Sequence, residues 1–163
     1  MARQKPTGGT PATEVLARAG IAFTVIPYHH DPATTDFGAE AAAATGTDPR
    51  RVFKTLVVDL GDRRLAVGVV PVSARLDLKA VAAALGAKKA DLADPRVAER
   101  STGSVLGGIS PVAQRTPLPT VIDASARAFP TICVSAGKRG LQVELSPDDL
   151  AALTGARFAS IAR

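Results

Sequence analysis

The sequence predicts an α+β domain built on a mixed or antiparallel sheet, and three observations lead there. Two apolar segments, Arg51 to Leu60 and Arg64 to Val70, flank Gly61-Asp62 in the pattern of an antiparallel hairpin. A second pair, Thr131 to Ser135 and Leu141 to Leu145, flanks the glycine-bounded turn AGKRG. Helical segments fall between these pairs without the strict strand-helix alternation of a doubly wound parallel sheet, which is the competing reading.

Each element has a local reason. Thr10-Pro11 opens a helix with a capping hydroxyl and a proline at the first helical position, and Gly20 closes it before a strand from Ile21 to Ile26. Phe37 to Thr45 is an alanine-rich helix ended by Gly46, and Asp48-Pro49 turns the chain into the first hairpin. Asp77 to Leu85 carries apolar residues at helical spacing and stops at Gly86, while Asp94-Pro95 caps a further short helix. Arg100 to Pro111, RSTGSVLGGISP, has the glycines, hydroxyls and proline of a built loop. Pro119 to Ile122 is a strand, and Ser146-Pro147-Asp148-Asp149 begins the last helix with a capping serine and acidic residues in the first turn. Gly155 ends that helix, and Arg157 to Ile161 adds a final strand. With no internal repeat and no long polar linker, residues 10–163 read as one domain behind a short disordered tail, residues 1–9.

Composition narrows the class. The 163 residues suffice for one domain with a core. No run approaches the ~20 uncharged apolar residues needed to cross a bilayer. MARQKPTGG at the start carries charge but leads into no apolar signal segment, and a single cysteine rules out an internal disulfide, so a cytoplasmic location is expected. Twenty Lys and Arg against fifteen Asp and Glu give +5, and a pI near 9.9, which suits either a polyanionic partner such as nucleic acid or plain solubility. Aromatic residues make up 4% and tryptophan is absent, so contacts to RNA would fall mostly on phosphate.

Lys54 is the most informative single residue. It interrupts the apolar strand VFKTLVVDL on the face it shares with Leu56 and Val58, where desolvation would depress its pKa unless an anion compensates. It is either a substrate-holding lysine or an edge residue whose long stem reaches water. His29 and His30 are the only histidines, and neither they nor the carboxylates fall in a zinc-ligand spacing, so no metal and no cofactor is called for. Cys133 in TICVSA reads as a buried core thiol. Ser101, Ser104 and Ser110 have neither a nucleophile elbow nor an evident base, and the Walker lysine is missing. Gly107-Gly108-Ile109-Ser110-Pro111 is then either a backbone cradle for an oxygen that gains negative charge or a plain turn. Basic residues at Arg50-Arg51, Arg63-Arg64, Lys88-Lys89, Arg115 and Lys138-Arg139 form a phosphate-binding rim or scattered solvated charge.

Taken together, RVFKTL, PVSARLDLKAVAAALGAKKADLADP, RSTGSVLGGISPVAQ, LPTVID and VSAGKRGLQVEL resemble the YbaK/EbsC family of freestanding Cys-tRNA(Pro) deacylases, relatives of the editing domain inserted in bacterial prolyl-tRNA synthetases. The likeness runs in order from about Ala12 to Arg163. It implies a mixed α/β fold around a curved, mainly antiparallel sheet surrounded by helices, and hydrolysis of the ester joining cysteine to mischarged proline tRNA. By this resemblance Lys54 matches an essential lysine that holds the tRNA 3′ end. Tyr28 and Phe37 match pocket aromatics, Gly107 lies in the substrate-binding glycine loop with Gly108, Ile109 and Ser110, and Ser135 matches a polar pocket residue. Ser104 stands where better-known members carry tyrosine, and Gln142 where they carry aspartate. Arg51, Lys138 and Arg139 are assigned to tRNA, with the prolyl-tRNA synthetase as a second partner. The resemblance further implies that the substrate's own thiol attacks its carbonyl, so that the enzyme needs no strong base.

Overall fold

The structure, a computed structural model, describes residues 9–163; apart from Gly9, the expected tail lies outside the described residues. The chain runs α1 (Pro11–Arg18), β1 (Phe23–Pro27), α2 (Phe37–Thr45), β2 (Phe53–Asp59), β3 (Leu65–Pro71), α3 (Leu78–Ala84), β4 (Asp91–Leu92), α4 (Pro95–Thr102), β5 (Thr120–Asp123), a 3-10 turn (Ala124–Ala128), β6 (Ile132–Ser135), β7 (Leu141–Leu145), α5 (Pro147–Thr154) and β8 (Arg157–Ala159). Helix starts follow the capping chemistry. Thr10 and Thr13 exchange side-chain and backbone bonds at α1, and Ser146 accepts from the Asp149 amide at α5.

The mixed, antiparallel-rich α/β architecture expected from the sequence is present, with its strands shared between two sheets. The smaller has the order β1-β7-β6 and is antiparallel throughout; the larger has the order β4-β2-β3-β5-β8. In the larger sheet β2 pairs antiparallel with β3 from Phe53↔Pro71 to Asp59↔Leu65, whereas β3-β5 and β5-β8 are parallel. The first hairpin turns through Asp62 and Arg63, both at positive φ (51° and 60°). A parallel bridge, Val52↔Cys133, joins the two sheets.

Alternation along the strands sorts the core. Val58, Ala66, Val70, Val121 and Ile161 face α3 through Val81 and Ala82. Phe53, Val57, Val67, Val69 and Ile122 face the smaller sheet through Ile132, Val134, Val143 and Leu145, with Leu16 and Leu150 closing that layer. The thiol of Cys133 lies in a third cluster with Val52, Ala41 and Ala42, and burial pushes its pKa up to about 11, so it is a core residue as expected.

On its outer edge β2 is met by β4 only at Val58 and Asp59, and by β6 only through the Val52 bridge. Between those attachments no strand among the described residues pairs with it.

Arg51, expected to contact tRNA, is committed elsewhere. Its guanidinium donates to the Glu144 carboxylate at 2.7 Å and to the Thr131 hydroxyl at 2.9 Å, fastening the start of β2 to the smaller sheet. The Thr131 hydroxyl and Arg51 together hold Glu144 below its ordinary carboxylate value of 4.5. A carboxylate depressed on folding stabilises the protein above its unfolded pKa and loses that contribution as the pH falls through the folded one. Glu144→Gln is therefore expected to cost about 1 kcal/mol at neutral pH, given its partial exposure, and progressively less below pH 4.5. Urea titrations of both proteins across that range measure the difference.

Candidate active site

The gap along the β2 edge opens into a cavity of about 290 Å³. Its walls come from β2 (Phe53 to Leu56), the start of α2 (Asp36 and Phe37), Val72, the glycine loop (Leu106, Gly107 and Ile109) and the smaller sheet (Ser135 and Gln142). Lys54 enters from the face of β2 that carries Val52 and Leu56, and Thr55 from the opposite face with Phe53 and Val57. Residues from both faces of the unpaired stretch therefore border the same space.

Half-burial pushes the Lys54 ammonium below its ordinary value; the nearby Asp36 carboxylate opposes that shift and Arg75 adds to it. Asp36 is fixed by its own capping role, its Oδ1 accepting from the Ala39 amide at 3.2 Å. No histidine or cysteine lines the cavity. His30 instead pairs through Nδ1 with Glu40 at 2.6 Å and stands 5.9 Å from the Phe37 ring.

The glycine loop owes its shape to close packing. Gly107 has φ of +81°, and a Cβ there would lie 2.5 Å from ring atoms of Phe37. A Cβ on Gly108 would lie 2.8 Å from the Lys138 backbone, so the loop rests directly on the AGKRG turn. Arg139 completes the stack. Its guanidinium lies 4.6 Å above the Phe37 ring, and its Nε donates to the Leu106 carbonyl at 2.7 Å.

Residues 31–153 match the family model described as an aminoacyl-tRNA editing domain. A curated protein of Enterococcus faecalis (strain ATCC 700802 / V583), named "Putative Cys-tRNA(Pro)/Cys-tRNA(Cys) deacylase EbsC", is 34% identical over 99% of this chain and 98% of its own. The chain belongs to the aminoacyl-tRNA editing domain family. Solved structures agree with the fold of this editing domain. The crystal structure of "a putative trans-editing enzyme for prolyl tRNA synthetase" superposes with a TM-score of 0.81 at 28% identity, covering 94% of this chain and 95% of that one. That of a hypothetical protein gives 0.84 at 25% identity, covering 94% and 99%.

Within the editing domain, Lys54, Phe37, Gly107, Ile109, Ser135 and Gln142 of the expected site share the cavity. The others lie elsewhere. The Gly108 amide donates to the Val105 carbonyl at 2.9 Å, so the pair of loop amides expected to hold an oxyanion reduces to that of Gly107, which has no partner among the described residues. Ser110 is buried with its Oγ accepting from the Val112 amide at 3.1 Å, a purely local bond that shapes the loop. Tyr28 packs behind the cavity against Ala41, Ala42 and Val52. Ser104 lines a separate depression with Thr102, Val112 and Arg115. Arg139 holds the loop, while Lys138 is exposed beside it. Asp36, Thr55 and Val72 were missed. Asp36 carries a signal in sequence as the capping residue before Phe37; the other two read as ordinary strand and turn positions.

Proposed function

We propose that this editing domain acts in trans, in the cytoplasm, as a deacylase that cleaves the ester joining cysteine to the 3′ end of mischarged proline tRNA. The observation that carries the proposal is the shared cavity: a half-buried lysine, a glycine whose amide has no partner among the described residues and two polar residues line one space of about 290 Å³, and its lining holds no histidine or cysteine. An aminoacyl ester is already activated, so orientation and stabilisation of the carbonyl oxygen suffice to speed its cleavage. In this reading the substrate thiol attacks its own carbonyl carbon. The new C–S bond closes a thiolactone, the C–O bond to the terminal ribose breaks, and the thiol proton passes to the departing ribose hydroxyl. Lys54 holds the terminal nucleotide, the Gly107 amide faces the carbonyl oxygen, and Lys138 contacts tRNA phosphate. Identity of the tRNA body is supplied through the prolyl-tRNA synthetase, since the chain has no set of aromatics with which to read bases.

A second reading, removal of alanine or another small residue from tRNA(Pro), is favoured by Gln142, a neutral side chain facing the cavity. Single-turnover deacylation of Cys-, Ser- and Ala-tRNA(Pro) separates the two. Self-attack predicts cleavage of the cysteinyl ester at least about a thousandfold faster than the others, beyond the roughly 10–200-fold that one methyl-sized difference in fit provides. Equal rates on Cys- and Ser-tRNA(Pro) remove self-attack, a preference for Ala-tRNA(Pro) establishes the second reading, and no rate above background leaves a noncatalytic tRNA-binding module.

A further inference from the structure

Gln142 is 7% exposed, and its carboxamide has no hydrogen-bond partner among the described residues. Strand register decides where it points. Leu141, Val143 and Leu145 of β7, with Ile132 and Val134 of β6, pack in the layer between the two sheets. Alternation turns Gln142 to the other face, where Ser135 stands opposite it on β6 and Ile26 on β1. On that face Ile26 packs against Ala41, Ala42, Val52 and Val72. The start of α2, Val52 and Val72 are also walls of the cavity, which Ser135 and Gln142 line. Nor is the carboxamide sealed off. The Thr55 hydroxyl is the one side-chain polar atom among the described residues that is both sealed and unpartnered, so the unpartnered carboxamide of Gln142 is open, and the space on its side of the sheet is the cavity. A polar group nine-tenths buried in that state is expected to meet its partner in what fills the space.

The groups around it mostly donate. The Lys54 ammonium has no acceptor, the Gly107 amide is without a partner among the described residues, and the Ser135 Oγ already accepts from the Gly137 amide at 3.2 Å, leaving its proton to give. Thr35 and Asp36 are exposed, and Asp36 caps α2. The Gln142 oxygen is thus the buried, open side-chain acceptor of the cavity. An aminoacyl ester carries a donor, its α-amino group, on the carbon next to the reacting carbonyl, so a site that holds the carbonyl also brings in the amine. We propose that the Gln142 carboxamide oxygen accepts a hydrogen bond from that α-amino group, which makes Gln142 a specificity-determining residue for esters of free amino acids. This rests on the deacylase reading and deepens it by naming the part of the substrate that cysteine, serine and alanine esters share. An acyl group without the amine leaves the carboxamide buried and unpaired, and sites built around such a bond discriminate far better than apolar fit does.

The test uses the full chain and two esters of tRNA(Pro), one of cysteine and one of 3-mercaptopropionate, which keeps the thiol and lacks the amine. Single-turnover rates on both are measured for the unmodified protein, for Gln142→Met, which keeps the stem and removes the carboxamide, and for Gln142→Glu, which keeps an acceptor oxygen, with thermal unfolding alongside. Comparing the ratio of the two rates between proteins cancels the difference in intrinsic reactivity of the esters. The expected result is a cysteinyl-to-mercaptopropionyl ratio lowered by about tenfold or more in Gln142→Met, through loss on the cysteinyl ester, and retained in Gln142→Glu. The Tm of Gln142→Met is expected at or above that of the unmodified protein, because a buried group without a partner has been removed. A clearly lowered Tm would show that the carboxamide is already satisfied in the free protein and would overturn the assignment. So would equal losses on both esters, an unchanged ratio in folded Gln142→Met, or a lost preference in folded Gln142→Glu. Unmodified protein inert on the cysteinyl ester overturns the deacylase reading itself, an outcome distinct from the others.

Discussion

Replacing Lys54 with methionine lowers the rate of Cys-tRNA(Pro) deacylation by about 10²–10³-fold and leaves the protein at least as stable as before, if Lys54 holds the reacting end of the tRNA. The two halves of this expectation have one cause. An ammonium half-buried beside an apolar strand is stabilised incompletely by Asp36, and on the proposed reading an anionic or polar substrate makes good that shortfall. Methionine keeps the stem and its packing while removing the charge, so folding is spared the desolvation and substrate binding loses its anchor. Arginine is not a conservative replacement here, because a planar fork of donors does not reproduce a compact ammonium. Single-turnover rates with thermal unfolding decide the matter; a methionine variant that is both folded and active would show that Lys54 is only an edge residue reaching for water.

Gly107→Ala is expected to cost roughly 2–3 kcal/mol of stability and to reduce deacylation by about ten- to a hundredfold. Two effects add. The backbone stands at φ of +81°, where a side chain is strained, and the new methyl would lie 2.5 Å from Phe37 ring atoms. Phe37 is also covered by Arg139, which grips the Leu106 carbonyl, so movement of the ring disturbs the loop. Adding Phe37→Leu to Gly107→Ala should return part of the stability, because the clash is relieved, but not the part due to φ. Activity should stay low, since the aromatic wall of the cavity is gone. Urea denaturation of the two single variants and the double variant measures that coupling, and additive losses would show that the contact does not govern the loop.

Much of the fold was legible because its signals are local. Thr10, Ser146 and the glycines after each helix mark ends that backbone sterics and capping bonds enforce, and the hairpin through Gly61-Asp62 follows from two apolar runs about one turn. The loop expected from Arg100 onward begins later, because α4 continues through Thr102, whose hydroxyl bonds back to the Ala98 carbonyl, and is capped by Gly103 in a left-handed conformation. β4, two exposed residues long, has no pattern to find. Division of the strands between two sheets depends on long-range pairing, which hydrophobic alternation does not encode.

The site was legible where a residue conflicts with its surroundings. Lys54 stands out as a charge in an apolar strand. The paired glycines announce that the main chain comes close to something, but not to what: Gly108 approaches the Lys138 backbone and Gly107 the Phe37 ring. Thr55 gives no signal at all, since threonine is an ordinary strand residue and only its burial without a partner distinguishes it.

The bare stretch of β2 has a consequence outside catalysis. An unpaired run of strand flanked by valines and leucine is a template for adding a foreign strand, and proteins commonly guard such places with charge or covering loops. Here a lysine projects from the bare stretch, and the glycine loop with its arginine brace borders the same cavity. On the proposed reading the groups that serve the reaction also keep copies of the protein from knitting together, and apolar changes at this cleft are expected to promote aggregation as well as inactivity.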